Sequence, residues 1–170
     1  GYGITGFGLV EAQRGQTRLL HCGAITTPAG MDFPARLEII YEDMRKLLEL
    51  AKPQEVAIEE LFFGQNVTTG IGVAQSRGVI LLAVQQAGLP VHAYKPMQVK
   101  QAVVGYGKAE RRQVMAMTRR LLGRAAPPKP DAAADAVAVA LCHARSFTSR
   151  LQSPDAARPG SGRYAVREQN

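Results

Sequence analysis

Cysteine is scarce in this sequence of 170 residues: Cys22 and Cys142 stand far apart, and neither has a second Cys or a His at metal-ligand spacing. That excludes a disulfide framework and a cysteine-built zinc module, and leaves two reduced, buried thiols. Long apolar runs are lacking too. The longest without charge, 78–84 and 136–141, fall well short of the ~20 residues of a membrane span. The N-terminus, Gly1-Tyr2-Gly3-Ile4, has no basic segment followed by an apolar one and does not read as a signal peptide. Acidic charge is in deficit, with 14 Asp and Glu against 21 Lys and Arg, a formal +7 at pH 7. Such a balance favours a polyanionic partner, nucleic acid first and an acidic membrane surface second.

What is present is 46% hydrophobic residues on a chain long enough for one domain with a proper core and too short for two. Residues 4–10 and 17–22 are apolar and β-branched and flank the turn-like Gln13-Arg14-Gly15, so the chain opens with a hairpin. Over 34–50, Leu37, Ile40, Tyr41, Met44, Leu47 and Leu48 recur at three and four, which predicts an amphipathic helix with Pro53 beyond its end. A short strand over 55–59 closes on Glu59 and Glu60. The helix expected over 67–86 is apolar and rich in small residues, hence buried or closely packed. A strand over 89–94, a helix over 96–104, the basic loop Gly105-Tyr106-Gly107-Lys108 and a helix over 110–122 come next. Pro127, Pro128 and Pro130 stiffen the connection to an alanine-rich helix over 131–147. The expected architecture is α/β, a mixed sheet with helices on both faces, over 1–148, with a flexible tail at 149–170.

Three carboxylates stand where a fold does not need them. Glu59 lies at the C-terminal end of an apolar strand, where open α/β sheets place their ligands. Asp131 follows Pro130 at a helix start, where an Asp also caps free amides. Asp135 sits one turn inside, among Ala133, Ala134, Ala136 and Val137, and a carboxylate there must be paired or metal-bound. Carboxylates from different elements, without a Cys or His cluster, suit Mg²⁺ or Mn²⁺. Two such ions can activate a water and stabilise the leaving oxygen in phosphodiester hydrolysis. Phe62 and Phe63 lie in a loop beside Gly64-Gln65-Asn66, where they serve either as core or as a stacking platform for a base. Lys95, Lys100, Lys108, Arg111 and Arg112 gather around the 105–107 loop as phosphate contacts or as a solvated basic face. His21, His92 and His143 are scattered and read as structural residues.

Four segments taken together resemble the RuvC family of bacterial Holliday-junction resolvases. They are Ala57-Ile58-Glu59-Glu60-Leu61-Phe62-Phe63, Gly72-Val73-Ala74-Gln75-Ser76-Arg77-Gly78-Val79, Val99-Lys100-Gln101-Ala102-Val103-Val104-Gly105-Tyr106-Gly107 and Asp135-Ala136-Val137-Ala138-Val139-Ala140-Leu141-Cys142-His143-Ala144. The resemblance implies a ribonuclease-H-like, mixed five-stranded sheet flanked by helices. It implies a cytoplasmic homodimer that binds a four-way DNA junction and nicks opposing strands symmetrically in recombination and repair, with two Mg²⁺ or Mn²⁺ per site. The branch-migration proteins RuvA and RuvB are implied partners, and no membrane is. By motif position, Glu59 matches a catalytic and metal-binding Glu, Asp135 the last catalytic Asp, Phe62 a junction-wedging aromatic, and Lys100 and Arg111 basic residues near the scissile phosphate. Gly1 matches the Gly of a family Asp-Pro-Gly, so the opening strand and its catalytic Asp are expected upstream of it. The family usually has a carboxylate three residues before its last Asp, where this chain has Ala132. Either Asp131 fills in as a catalytic carboxylate, or the chain binds junctions with little cleavage. A ribonuclease H acting on another substrate and a nucleotide-binding relative of the same fold are the rivals, the latter disfavoured by the +7 charge and a single Gly-rich loop.

Overall fold

The computed structural model describes the backbone of residues 2–60, 67–151 and 162–165, and the side chains of 2–60 and 67–146. Strands β1 (Ile4–Gln13) and β2 (Gln16–Thr26) form an antiparallel hairpin. Its two-residue turn puts Arg14 at φ 50° and Gly15 at φ 79°, the left-handed pair that matches the twist of the flanking strands. Then follow α1 (Phe33–Ala51), β3 (Glu55–Glu59), α2 (Val67–Gln86), β4 (Val91–Tyr94), α3 (Pro96–Val104), α4 (Arg111–Leu121), α5 (Asp131–Leu151) and β5 (Gly162–Ala165).

Strands β3 and β4 are parallel, with Val56 opposite Val91 and Glu59 opposite Tyr94. The short β5 joins them to the hairpin, antiparallel to β1 and parallel to β3, in the order β2-β1-β5-β3-β4. Among the described residues the strand between β1 and β3 thus comes from the segment expected to be a loose tail. The inner edges of β1 and β3 carry peptide groups that need partners, and β5 supplies them.

The two faces of the sheet are covered by different helices. Val56 and Ile58 pack with Ile40 and Met44 of α1 and Ile80 and Val84 of α2. On the other face, Ala57 and Tyr94 meet Val99 and Val103 of α3, Val114 of α4 and Val137 of α5. Helix α5 is buried from Ala132 through Ala144, and two glycines of β1 let it come so close. A Cβ on Gly6 would lie 1.9 Å from the carbonyl oxygen of Ala132, and one on Gly8 would lie 2.6 Å from Cγ2 of Val137. Helix α2, expected to be buried or closely packed, buries one side: Val73, Ile80, Ala83 and Val84 are covered, while Val67, Ile71 and Leu82 are more than half exposed. By length and composition α2 is apolar enough to cross a membrane, which the short charge-free runs did not suggest. Its packing against α1 and the sheet makes it a core helix with an uncovered apolar side.

Candidate active site

Alternation along β3 sorts its side chains. Val56 and Ile58 enter the α1/α2 core, so Glu55, Ala57 and Glu59 project toward α5. Glu59 is the last residue of the strand, and the next N–H, of Glu60, donates to the Tyr94 carbonyl at 2.8 Å. Across from it, α5 carries Asp135 one turn in, 7% exposed among buried alanines and valines. The sequence requires a partner for that carboxylate, and the structure supplies one. Arg111, the first residue of α4, donates from Nη2 to Asp135 Oδ2 at 2.7 Å. The guanidinium side of the pair is half exposed, so it faces the solvent side of a cleft.

Glu59, Asp135, Lys100 and Arg111 line that cleft together, a cavity of about 330 Å³ with apolar walls that include Val99 and Val139. Four of the residues singled out in the sequence, from β3, α3, α4 and α5, are thereby brought to one place. Two acids face two cations, which leaves room for either a bound cation or a phosphate without a large excess of one charge. A larger cavity of about 890 Å³ lies by the hairpin turn and the ends of α4 and α5, and its described lining includes no carboxylate.

Other expected residues fall elsewhere. Asp131 is exposed at the first residue of α5 and is not among the residues lining the cleft. The helix starts on Pro130, whose carbonyl accepts from the N–H groups of Ala133 and Ala134. Asp131 thus stands in the first turn, where its charge suits the helix dipole, and not at the cap. Ala132 is buried against β1. Lys108 and Arg112 are exposed near the cleft's α4 side, Arg112 paired with Glu110 at 2.8 Å. Phe62 and Phe63 lie outside the described residues.

The sequence reading missed one cluster. His92 and His143, taken as scattered, stack at 4.5 Å between ring centroids beside Glu55, and only His21 stands apart, exposed on β2. A usable signal was present in the spacing. Glu55 is four residues before Glu59 on β3, and His143 is eight after Asp135 on α5, so both repeat the faces that build the cleft.

Residues 1–143 match the family described as "Crossover junction endodeoxyribonuclease RuvC". A protein of that name from Chloroflexus aurantiacus is 54% identical over 144 residues, 85% of this chain and 88% of its own length. Another, from Heliobacterium modesticaldum, is 53% identical over 148 residues, 87% of this chain and 91% of its own. Among solved structures, Thermus thermophilus RuvC superimposes with TM-score 0.80 at 33% identity, covering 96% of this chain and 95% of that one. The same protein in complex with a Holliday junction substrate gives TM-score 0.81 at 34% identity, covering 96% and 94%.

Proposed function

Because the chain belongs to the RuvC family of crossover junction endodeoxyribonucleases, we propose that its cleft is where a four-way DNA junction is nicked by hydrolysis, in recombination and repair. The observation that carries this reading is the meeting of Glu59, Asp135, Lys100 and Arg111 in one cleft at the C-terminal end of β3. The nuclease domain of this proposal is 1–148, on a ribonuclease-H-like sheet to which β5 adds a strand from beyond that boundary, and the active unit is a cytoplasmic homodimer. Two-fold symmetry suits a junction whose opposing strands present the same geometry twice. RuvA and RuvB are the proposed loading partners.

The donor set fits a hard divalent cation. Glu59 and Asp135 offer only oxygen, and a guanidinium already sits on Asp135 as a positive charge. In this reading Glu59 and Asp135 hold Mg²⁺, two per site, with Mn²⁺ as a substitute. The metal supplies a polarised water and charge for the leaving oxygen. Lys100 anchors the phosphate next to the scissile bond, and Arg111, once released from Asp135, pairs with a phosphate oxygen. Lys108 and Arg112 contact flanking phosphates, and Phe62 and Phe63 stack on bases at the opened centre of the junction.

A second reading rests on Ala132, buried where the family usually has a carboxylate, with Asp131 outside the cleft. In it the chain binds junctions selectively and cleaves them poorly. One experiment separates the two. The protein is placed with Mg²⁺ or Mn²⁺ on a synthetic four-way junction and on a linear duplex of the same sequence, and both binding and nicking are scored. Symmetric nicks on the junction that vanish in Glu59→Gln support the resolvase. Junction-selective binding without nicks supports the second reading, and equal binding to both DNAs overturns both.

A further inference from the structure

At the opposite end of the β3–α5 interface from the cleft, Glu55, His92 and His143 converge. Their ligand atoms all lie within 4.8 Å of one another. His143 Nε2 is 2.6 Å from Glu55 Oε2, and His92 Nε2 is 3.9 Å from the same oxygen. The remaining ring nitrogen of His143, Nδ1, is 2.5 Å from the hydroxyl of Tyr94. Among the described residues His92 Nε2 is buried and has no hydrogen-bond partner. That orphaned nitrogen is the anomaly. A ring that merely filled space would turn its nitrogen to water or to a protein acceptor, because an unsatisfied buried donor or acceptor costs roughly 1–3 kcal/mol.

We propose that Glu55, His92 and His143 form a binding site for a borderline divalent transition metal, Zn²⁺ first. Two imidazoles and one carboxylate are a donor set such an ion takes, with a fourth position left for water. Mg²⁺ does not compete well for it, since it prefers oxygen donors alone. The Tyr94 hydroxyl is the outer partner such sites have. In the metal-bound state Nδ1–H of His143 donates to the tyrosine oxygen, and Nε2 exchanges its contact with Glu55 for the ion. The site has an entry path, because Glu55 and His92 are partly exposed while His143 is 1% exposed. It lies four residues along β3 from Glu59 and eight along α5 from Asp135, about 12–13 Å from the cleft at ~3.3 Å and ~1.5 Å per residue. The ion bridges β3, β4 and α5, and so fixes the helix that carries Asp135 to the strand that carries Glu59. The inference stands apart from the junction-nicking reading.

The test uses the whole chain, freed of metal by a chelator and held in excess Mg²⁺ to saturate the oxygen site. Zn²⁺ is titrated by calorimetry, and Co²⁺ serves as a spectroscopic probe of a site with nitrogen ligands. One Zn²⁺ per chain is expected, with visible Co²⁺ bands and a raised melting temperature. His92→Ala and Glu55→Gln should each weaken Zn²⁺ at least tenfold, and Glu59→Gln with Asp135→Asn should leave it unchanged. His143 is deep in the core and its variant can fail to fold, so His92→Ala, with its melt in chelator matching the parent, carries the test. No stoichiometric Zn²⁺ in excess Mg²⁺ overturns the proposal. So does Zn²⁺ binding that survives His92→Ala and is lost with Glu59 and Asp135.

Discussion

Arg111→Gln strips the Asp135 carboxylate of its guanidinium and asks which cation that carboxylate is there for. Asp135 is 7% exposed, and Nη2 of Arg111 stands 2.7 Å from its Oδ2. Two unit charges about 4 Å apart at an effective dielectric near 20 attract by roughly 4 kcal/mol. The Arg111 side chain is 54% exposed, so solvent takes back a good part of this, and a net loss of about 2 kcal/mol is expected. For a chain of this size that is a fall of roughly 4–8 °C in melting temperature, measured in chelator. With saturating Mg²⁺ the same variant should recover at least half of the fall, because the ion replaces the guanidinium beside the carboxylate. Mg²⁺ should also bind the variant more tightly than the parent, since it no longer has to displace Arg111. Junction nicking should drop even so, through loss of the phosphate contact. An equal fall in chelator and in Mg²⁺ would refute the metal role given to Asp135, and no fall at all would refute the pairing.

Ala132→Asp should raise junction nicking in Mg²⁺ at least tenfold if the missing carboxylate limits cleavage. Because Ala132 is 1% exposed, the variant should melt lower in chelator, by on the order of 1–3 kcal/mol, and recover in Mg²⁺; no gain in nicking would count against that account. Gly6→Ala puts a Cβ where 1.9 Å separates it from the Ala132 carbonyl oxygen, so α5 must retreat from β1. A loss above about 3 kcal/mol in urea unfolding is expected, and unchanged stability would mean that α5 does not rest on Gly6. Burial pushes the Cys142 thiol up to about 11, so iodoacetamide should not label it at pH 8 without denaturant. An unfolded thiol releases its proton near pH 9 and the folded one only near 11. The Cys142 contribution to stability should therefore be flat below pH 9 and fall between 9 and 11, and Cys142→Ala should remove that part of the fall.

The helices and strands up to α5 were legible from their apolar segments and the turn residues between them: α2 over 67–86 and α3 over 96–104 were expected with the bounds observed, and β3 over 55–59 likewise. The origin of β5 was not legible. Arg163-Tyr164-Ala165 is an unremarkable stretch in a Ser-, Pro- and Gly-rich segment, and only the open edges of β1 and β3 give it a reason to be extended. The single-sided burial of α2 was hidden for the opposite cause: its apolar residues lie all round the helix, so composition could not say which side the core would take.

The cleft was legible for a reason that also explains why the histidine cluster was overlooked. Glu59 and Asp135 were found as single residues out of place in apolar elements, a test that Glu55, at the first residue of its strand, and the conventional-looking histidines do not fail. What joins them is the matched rise of the two elements. Four residues of strand and eight of helix both advance about 12–13 Å, so whatever faces α5 at one end of β3 has a counterpart at the other. A strand of five residues with a Glu at each end, laid on a helix with Asp135 and His143 two turns apart, must build two polar ends around one apolar middle of Ala57 and Val139. One end received oxygen donors and two cations, the other the Glu55 carboxylate, two imidazoles and a tyrosine. That difference in donor type, set by His92 and His143, is the ground on which we propose a hard-cation site at one end of a single strand–helix contact and a transition-metal site at the other.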